Sequence, residues 1–197
     1  MRNITSRQLK YLSALAGFAA IGVCAFYVAG SAAESGQTNS DVAAKSDEAS
    51  PIYGVTIPPG YRDWKLISMN HLVTAKVDQL RAQLGNDIAV KAIQEGKLPF
   101  PDGSIIAALH WNNVASGDNN KVLGAAFPGA QSFVTGPAVN VQFMVKDSKK
   151  YAATGGWGFA DFKNGEPGDR ALHEACFGCH VPAKDHDFVF VHYARAP

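Results

Sequence analysis

Near the C-terminal end, Cys176-Phe177-Gly178-Cys179-His180 sets two thiols three positions apart with an imidazole directly after the second. Thiols at this spacing serve as metal ligands, as a redox pair, or as attachment points for a porphyrin. The C-x-x-C-H arrangement suits the last. Two thiols form thioethers to the two vinyl groups of one haem, and the next residue brings an imidazole over the iron. The alternatives lack their partners. A disulfide framework needs more cysteines at wider spacing. Zinc needs four ligands, or three plus water, and the chain has no second cysteine pair. A thioredoxin-like pair lacks the upstream strand and helix pattern. Cys176 and Cys179 are therefore read as holding one covalent haem c, with His180 as an axial ligand of its iron.

The opposite face of the iron decides the chemistry. A strong second ligand makes an electron carrier, and an open face makes a site for a small molecule. Met69, Met144, His71, His110, His173, His186 and His192 are the candidate second ligands. His173 lies seven residues before His180 on the same expected helix, which places it badly for the other face.

These groups need elements to carry them. The 197 residues suit one domain after a targeting segment, and 47% hydrophobic residues, eleven Phe among them, supply a core. A formal net charge of +1 offers no basic field for nucleic acid. Arg2, Arg7 and Lys10 precede an uncharged run from Tyr11 to Gly30, and Ser31-Ala32-Ala33 supplies small residues for a signal peptidase. Residues 1–33 are expected to be a signal peptide directing the chain to the periplasm, or, since the run has the length of a span, a retained membrane anchor. Val23 before Cys24 disfavours a lipid site there. Residues 34–50, rich in Ser, Ala, Gly and Asp, read as a flexible linker, and the haem domain as 51–197.

Within the domain, strands are expected over Tyr61 to Met69, Val77 to Leu84 (with a helix as the alternative), Ser104 to Trp111, Val139 to Val145 and Trp157 to Lys163. Phe188 to Tyr193 alternates as a last strand. Helices are expected over Ile88 to Glu95, capped by Asn86 or Asp87 and ended by Gly96, and over Asp169 to His180, with a short one from Ser148 closed by Gly155-Gly156. Residues 112–137 read as a long irregular connection. The sum is a mainly β (α+β) fold, an antiparallel sheet with a few short helices.

Several stretches together resemble the cytochrome P-460 family: Gly60-Tyr61-Arg62-Asp63-Trp64, Leu84-Gly85-Asn86-Asp87, Pro101-Asp102-Gly103, and the run from Phe143 to Tyr151. Ala153-Thr154-Gly155-Gly156-Trp157-Gly158-Phe159 and Asp187-Phe188-Val189-Phe190 complete the match. The resemblance implies a periplasmic homodimer of mainly antiparallel β subunits with a His-ligated haem and an open distal face. Founding members oxidise hydroxylamine, and a sister group, cytochrome c′-beta, binds nitric oxide and related ligands. The founding members' haem-linked lysine aligns with Ala108 and their distal glutamate with Gln142. Methyl forms no such link and an amide is no general base, which weakens an assignment as a hydroxylamine or nitric oxide oxidoreductase.

His110 lies two residues beyond Ala108 and so shares its face of the strand. It reads as a distal donor, a proton carrier, a sixth ligand, or a structural histidine bonded to a loop. Arg81 matches a family arginine that would stabilise anionic ligands, with a solvated or core-paired arginine as the alternative. Phe127, Phe133, Phe143 and Phe159 read as core or as porphyrin shields, Trp64 and Trp157 as core anchors, and Lys146, Lys149 and Lys150 as a solvated basic face. Three functions stand in order. The first is a protein binding or converting small nitrogen ligands, with a soluble redox partner. The second is an electron carrier closed by His110 or Met144, and the third a hydroxylamine-oxidising enzyme.

Overall fold

Val141, Phe143 and Val145 alternate with Gln142, Met144 and Lys146, and a chain so patterned must present two different faces. In the computed structural model, which describes residues 48–194, this segment is the fourth of six strands. They are β1 (Lys65–Val73), β2 (Asp78–Gly85), β3 (Ile105–Ala115), β4 (Phe133–Lys146), β5 (Trp157–Lys163) and β6 (Glu166–Pro167). Every pair is antiparallel and the spatial order follows the chain order, the meander that short connections favour. Three helices punctuate it: α1 (Asp87–Glu95), α2 (Gly117–Ala126) and α3 (Arg170–His180). This is the mainly β, α+β fold expected.

The expected export segment and all but the last three residues of the expected linker lie outside the described residues. Ser50, assigned to the linker by composition, already belongs to the domain. It is buried, accepts from the Val55 N–H and donates to the Phe159 carbonyl.

The caps of α1 are those the sequence offers. The Asn86 side chain accepts from the Ala89 N–H, and Gly96 closes the helix in the left-handed conformation with φ of 63°. Ala89, Val90 and Ala92 form its buried side. On the same principle the Asp169 side chain caps α3 by accepting from the Leu172 N–H.

Four expectations need correction. Tyr61–Asp63 is a 3-10 turn and the strand starts only at Lys65. The helix expected from Ser148 is reduced to a 3-10 turn, Ala152–Thr154. Residues 112–137 are not irregular. Val114 pairs with Val134, so β3 and β4 extend well into the segment, and α2 sits between them with no buried residue and hence no apolar stripe to betray it. Phe188 to Tyr193 is no strand, despite its alternation. Asp187 and Phe188 both take left-handed φ, 52° and 64°, and turn the chain out of an extended path after the 3-10 turn Val181–His186.

The register fixes what shares a face. Gln83, Ala108, Gln142 and Asp161 stand in one cross-strand row. Arg81, His110 and Asn140 form the next row on the same face. The pairing of β3 with β4 is irregular directly after His110, where a bulge re-aims the strand. The other face carries Ala107, Phe143 and Ala160, all buried.

Candidate functional site

On α3, Cys176, Cys179 and His180 occupy positions i, i+3 and i+4, so they share one helical face. That face looks across a cavity of about 280 Å³ toward the sheet. The helix contributes Cys176, Cys179 and His180, and the sheet contributes Arg81, Ala108, His110 and Gln142. Arg81, His110 and Gln142 thus line one cavity with Cys176, Cys179 and His180, although they come from four elements. Ala108 is the smallest side chain in its row and lines the cavity with Ile106 and His110 along β3.

The histidine on the helix side is oriented by its backbone surroundings. His180 Nδ1–H donates to the Phe188 carbonyl at 2.8 Å, which leaves Nε2 as the ring nitrogen for the cavity. Burial, opposed by that hydrogen bond, lowers its pKa and keeps the imidazole neutral, the form that ligates iron. Phe159 and Phe190 pack their rings within 5.0 and 5.4 Å of it. Burial, then the charge of Asp161 and the neighbouring Cys179, push the Cys176 thiol up to about 11. A thiol held protonated is a poor redox nucleophile, which argues against the thioredoxin-like use of the pair.

The opposite wall is polar and its protons can be placed. Asp161 is buried, and its Oδ2 accepts from two side-chain amides. Gln142 Nε2 donates to Asp161 Oδ2 at 2.8 Å, and Asn140 Nδ2 donates to the same oxygen. Asn140 therefore turns its carbonyl oxygen toward His110 Nδ1, 2.7 Å away, and His110 must carry its proton on Nδ1. Nε2 is left as a lone pair. Burial, with Arg81 adding to it, lowers the His110 pKa to about 4 against the pull of Asn140 and Asp161, so the ring is neutral. The structural reading of this histidine as bonded to a loop is corrected, since its partner Asn140 lies on the neighbouring strand. Gln83, also in the cavity wall, holds a buried Oε1 that has no hydrogen-bond partner among the described residues. Arg81 gives Nε and Nη2 to Gln79 Oε1 at 3.2 and 2.8 Å, and burial lowers its pKa, though a guanidinium stays charged.

Two thiols and a neutral imidazole on one helical face, with an apolar aromatic wall and an unpartnered buried acceptor opposite, form a donor set that fits a haem. Cys176 and Cys179 would hold the porphyrin and His180 the iron.

The remaining candidates for a second axial ligand go elsewhere. Met69 and His71 are exposed, and His71 Nε2 bonds Asp78 at 2.6 Å. His186 and His192 are exposed and do not line the cavity. His173 is fully buried as a strut, its Nδ1–H donating to the Asp169 carbonyl at 2.7 Å and its Nε2 accepting from the Asp161 N–H at 3.2 Å. Only His110 and Met144, of the seven, line the cavity. Of the phenylalanines, Phe143 and Phe159 are buried and adjoin the cavity, while Phe127 and Phe133 are exposed. Trp157 is a core anchor and Trp64 a partly buried one. Lys146 corrects its expectation as part of a solvated face, being buried against Asp187.

Sequence reasoning missed Asn140, Asp161 and Gln83. Asp161 had a signal. In Trp157 to Lys163 it is the one acidic residue of an apolar strand, and it stands two positions from Phe159, on the face turned to the cavity.

The family model for Cytochrome P460 matches residues 58–191, most of the chain. No curated protein matches.

Proposed function

This chain belongs to the cytochrome P460 family, a family of haem cytochromes, and from that premise we propose that it binds small nitrogen ligands beside a covalently attached haem. Cys176 and Cys179 would hold the porphyrin through thioethers, and His180 would hold the iron through Nε2. The haem, when bound, supplies a redox-active iron with affinity for nitrogen and oxygen donors. The protein supplies access, polarity and a dry wall.

One observation carries the reading: the wall facing the helix presents a lone pair on His110 Nε2, fixed there by the chain from Asp161 through Asn140. Together with the unpartnered Gln83 oxygen it calls for a ligand that brings hydrogen-bond donors. Hydroxylamine, with N–H and O–H, meets that requirement. Nitric oxide has no donor and would depend on the iron alone. Arg81 supplies positive charge for anionic ligand forms.

The test is an equilibrium titration of wild type and His110→Leu with hydroxylamine and with nitric oxide. Loss of one hydrogen bond is expected to weaken hydroxylamine about tenfold, roughly 1.4 kcal/mol, with little effect on nitric oxide. An unchanged hydroxylamine affinity contradicts the reading.

A second reading, an electron carrier, is favoured by one fact: His110 and Met144 both line the cavity, and either reaching the iron would close it. As for hydroxylamine oxidation, Asp161 restores a carboxylate one strand from Gln142, but two amides cover it, and Ala108 still offers nothing for a haem link. Export to the periplasm belongs to the proposal on the strength of residues 1–33, as does a soluble redox partner. Homodimerisation belongs to the proposal as what the family resemblance implies.

A further inference from the structure

Lys146 ends β4 with its ammonium buried, 2.8 Å from each oxygen of the equally buried Asp187 carboxylate. It also donates to the Gly155 carbonyl at 3.0 Å and lies 4.9 Å above the centre of the Trp157 ring. Its three donors are thereby used. Asp187 is held from several sides. Its carboxylate accepts from the Phe100 N–H at 2.8 Å, and its carbonyl accepts from Trp157 Nε1–H at 2.8 Å. Replacing a buried ion pair by apolar side chains of like volume is often neutral or stabilising. Such a pair is better explained by the conformation it enforces than by the stability it adds.

The conformation in question is unusual. Asp187 and Phe188 are consecutive left-handed residues, a state a bulky aromatic adopts only when its surroundings over-determine it. The Phe188 ring fits because residue 155 has no side chain: a Cβ there would lie 2.2 Å from Cε2 of the ring. The Phe188 N–H donates to the Ala183 carbonyl at 2.9 Å. What this arrangement presents is the Phe188 carbonyl, and that carbonyl accepts the His180 Nδ1–H.

We propose that Lys146 and Asp187 are positioning residues for the proximal histidine: the buried pair locks the left-handed Asp187–Phe188 step so that the Phe188 carbonyl holds His180 in one tautomer and one orientation. The inference rests on the reading that His180 ligates the haem iron. A fixed acceptor on Nδ1–H makes the imidazole a stronger donor to iron and favours the oxidised state. Releasing the step weakens that bond. Lys146→Met leaves the carboxylate unpaired, Asp187→Asn keeps a side chain that tolerates left-handed φ while removing the charge, and Lys146→Arg retains the cation.

The experiment measures the ferrous iron–histidine stretching frequency by resonance Raman spectroscopy and the midpoint potential, on holoprotein of wild type and each variant. Asp187→Asn and Lys146→Met are expected to lower the frequency and shift the redox equilibrium toward the reduced form by about tenfold, which is 59 mV for a one-electron couple. Lys146→Arg is expected to stay near wild type. Unchanged frequency and potential in fully loaded Asp187→Asn and Lys146→Met overturn the proposal, however far their thermal stability drops. Should those two fail to fold, Trp157→Phe, which removes the bond to the Asp187 carbonyl and shrinks the ring beneath the Lys146 ammonium, decides by the same readouts: a lowered frequency supports the proposal and a wild-type one overturns it. A wild type that shows no iron–histidine band fails at the earlier step, the assignment of His180 itself.

Discussion

His110 is the group on which acid should act most visibly. In the unfolded chain its imidazole titrates near 6.5. In the fold, burial first and the Arg81 charge second bring it down to about 4. Such a group takes up its proton more readily when unfolded, so acid favours unfolding. The stability it permits is present at pH 7, falls as pH drops below 6.5, and stops falling once the folded imidazole also titrates near 4. Between pH 7 and pH 5 the linkage amounts to about 2 kcal/mol. The assay is guanidinium unfolding of wild type and His110→Gln at both pH values. The variant subtracts the other titrating groups, which the two proteins share. Wild type should lose about 2 kcal/mol more than the variant on going to pH 5, a midpoint difference of roughly 0.5 M. Parallel losses in the two proteins would refute the reasoning, because they would mean His110 titrates alike folded and unfolded.

Gln142→Glu replaces an amide donor to Asp161 by a second carboxylate, and should destabilise the protein by about 2–3 kcal/mol at pH 7. A second carboxylate beside Asp161 raises the carboxyl pKa, so this cost is relieved as pH falls toward 4.3 and the gap to wild type should be smaller at pH 5 than at pH 7. His173→Ala removes a fully buried strut bonded to both the Asp169 carbonyl and the Asp161 N–H, and should lower stability by about 3 kcal/mol, seen as a drop in Tm with haem retained. Replacing both Cys176 and Cys179 by Ala should let acidified acetone extract all pigment, whereas wild type keeps it in the protein pellet.

Much of this arrangement was legible because it is local. The C-x-x-C-H spacing on a helix capped by Asp169 dictates a shared face, whatever the rest of the chain does. Asn86 and Gly96 bracket α1 for equally local reasons. That Ala108 and His110 share a face followed from strand period alone, and the structure adds that this face meets the helix. What was not legible depends on register and on chain reversal. Asp161 reaches Asn140 and Gln142 only because β5 pairs with β4 in one particular alignment. Lys146 looked solvated beside Lys149 and Lys150, and its buried partner lies 41 positions away. The terminal alternation misled because two left-handed residues, imposed by tertiary contacts, break the extended path that periodicity assumes.

The central claim is an iron held by His180 with an accessible opposite face. The most direct measurement is the absorption spectrum of purified holoprotein, ferric and ferrous, before and after nitric oxide and hydroxylamine. The account expects a high-spin resting spectrum that shifts with both ligands. A low-spin, six-coordinate spectrum indifferent to both would contradict it and make His110 or Met144 the sixth ligand of an electron carrier.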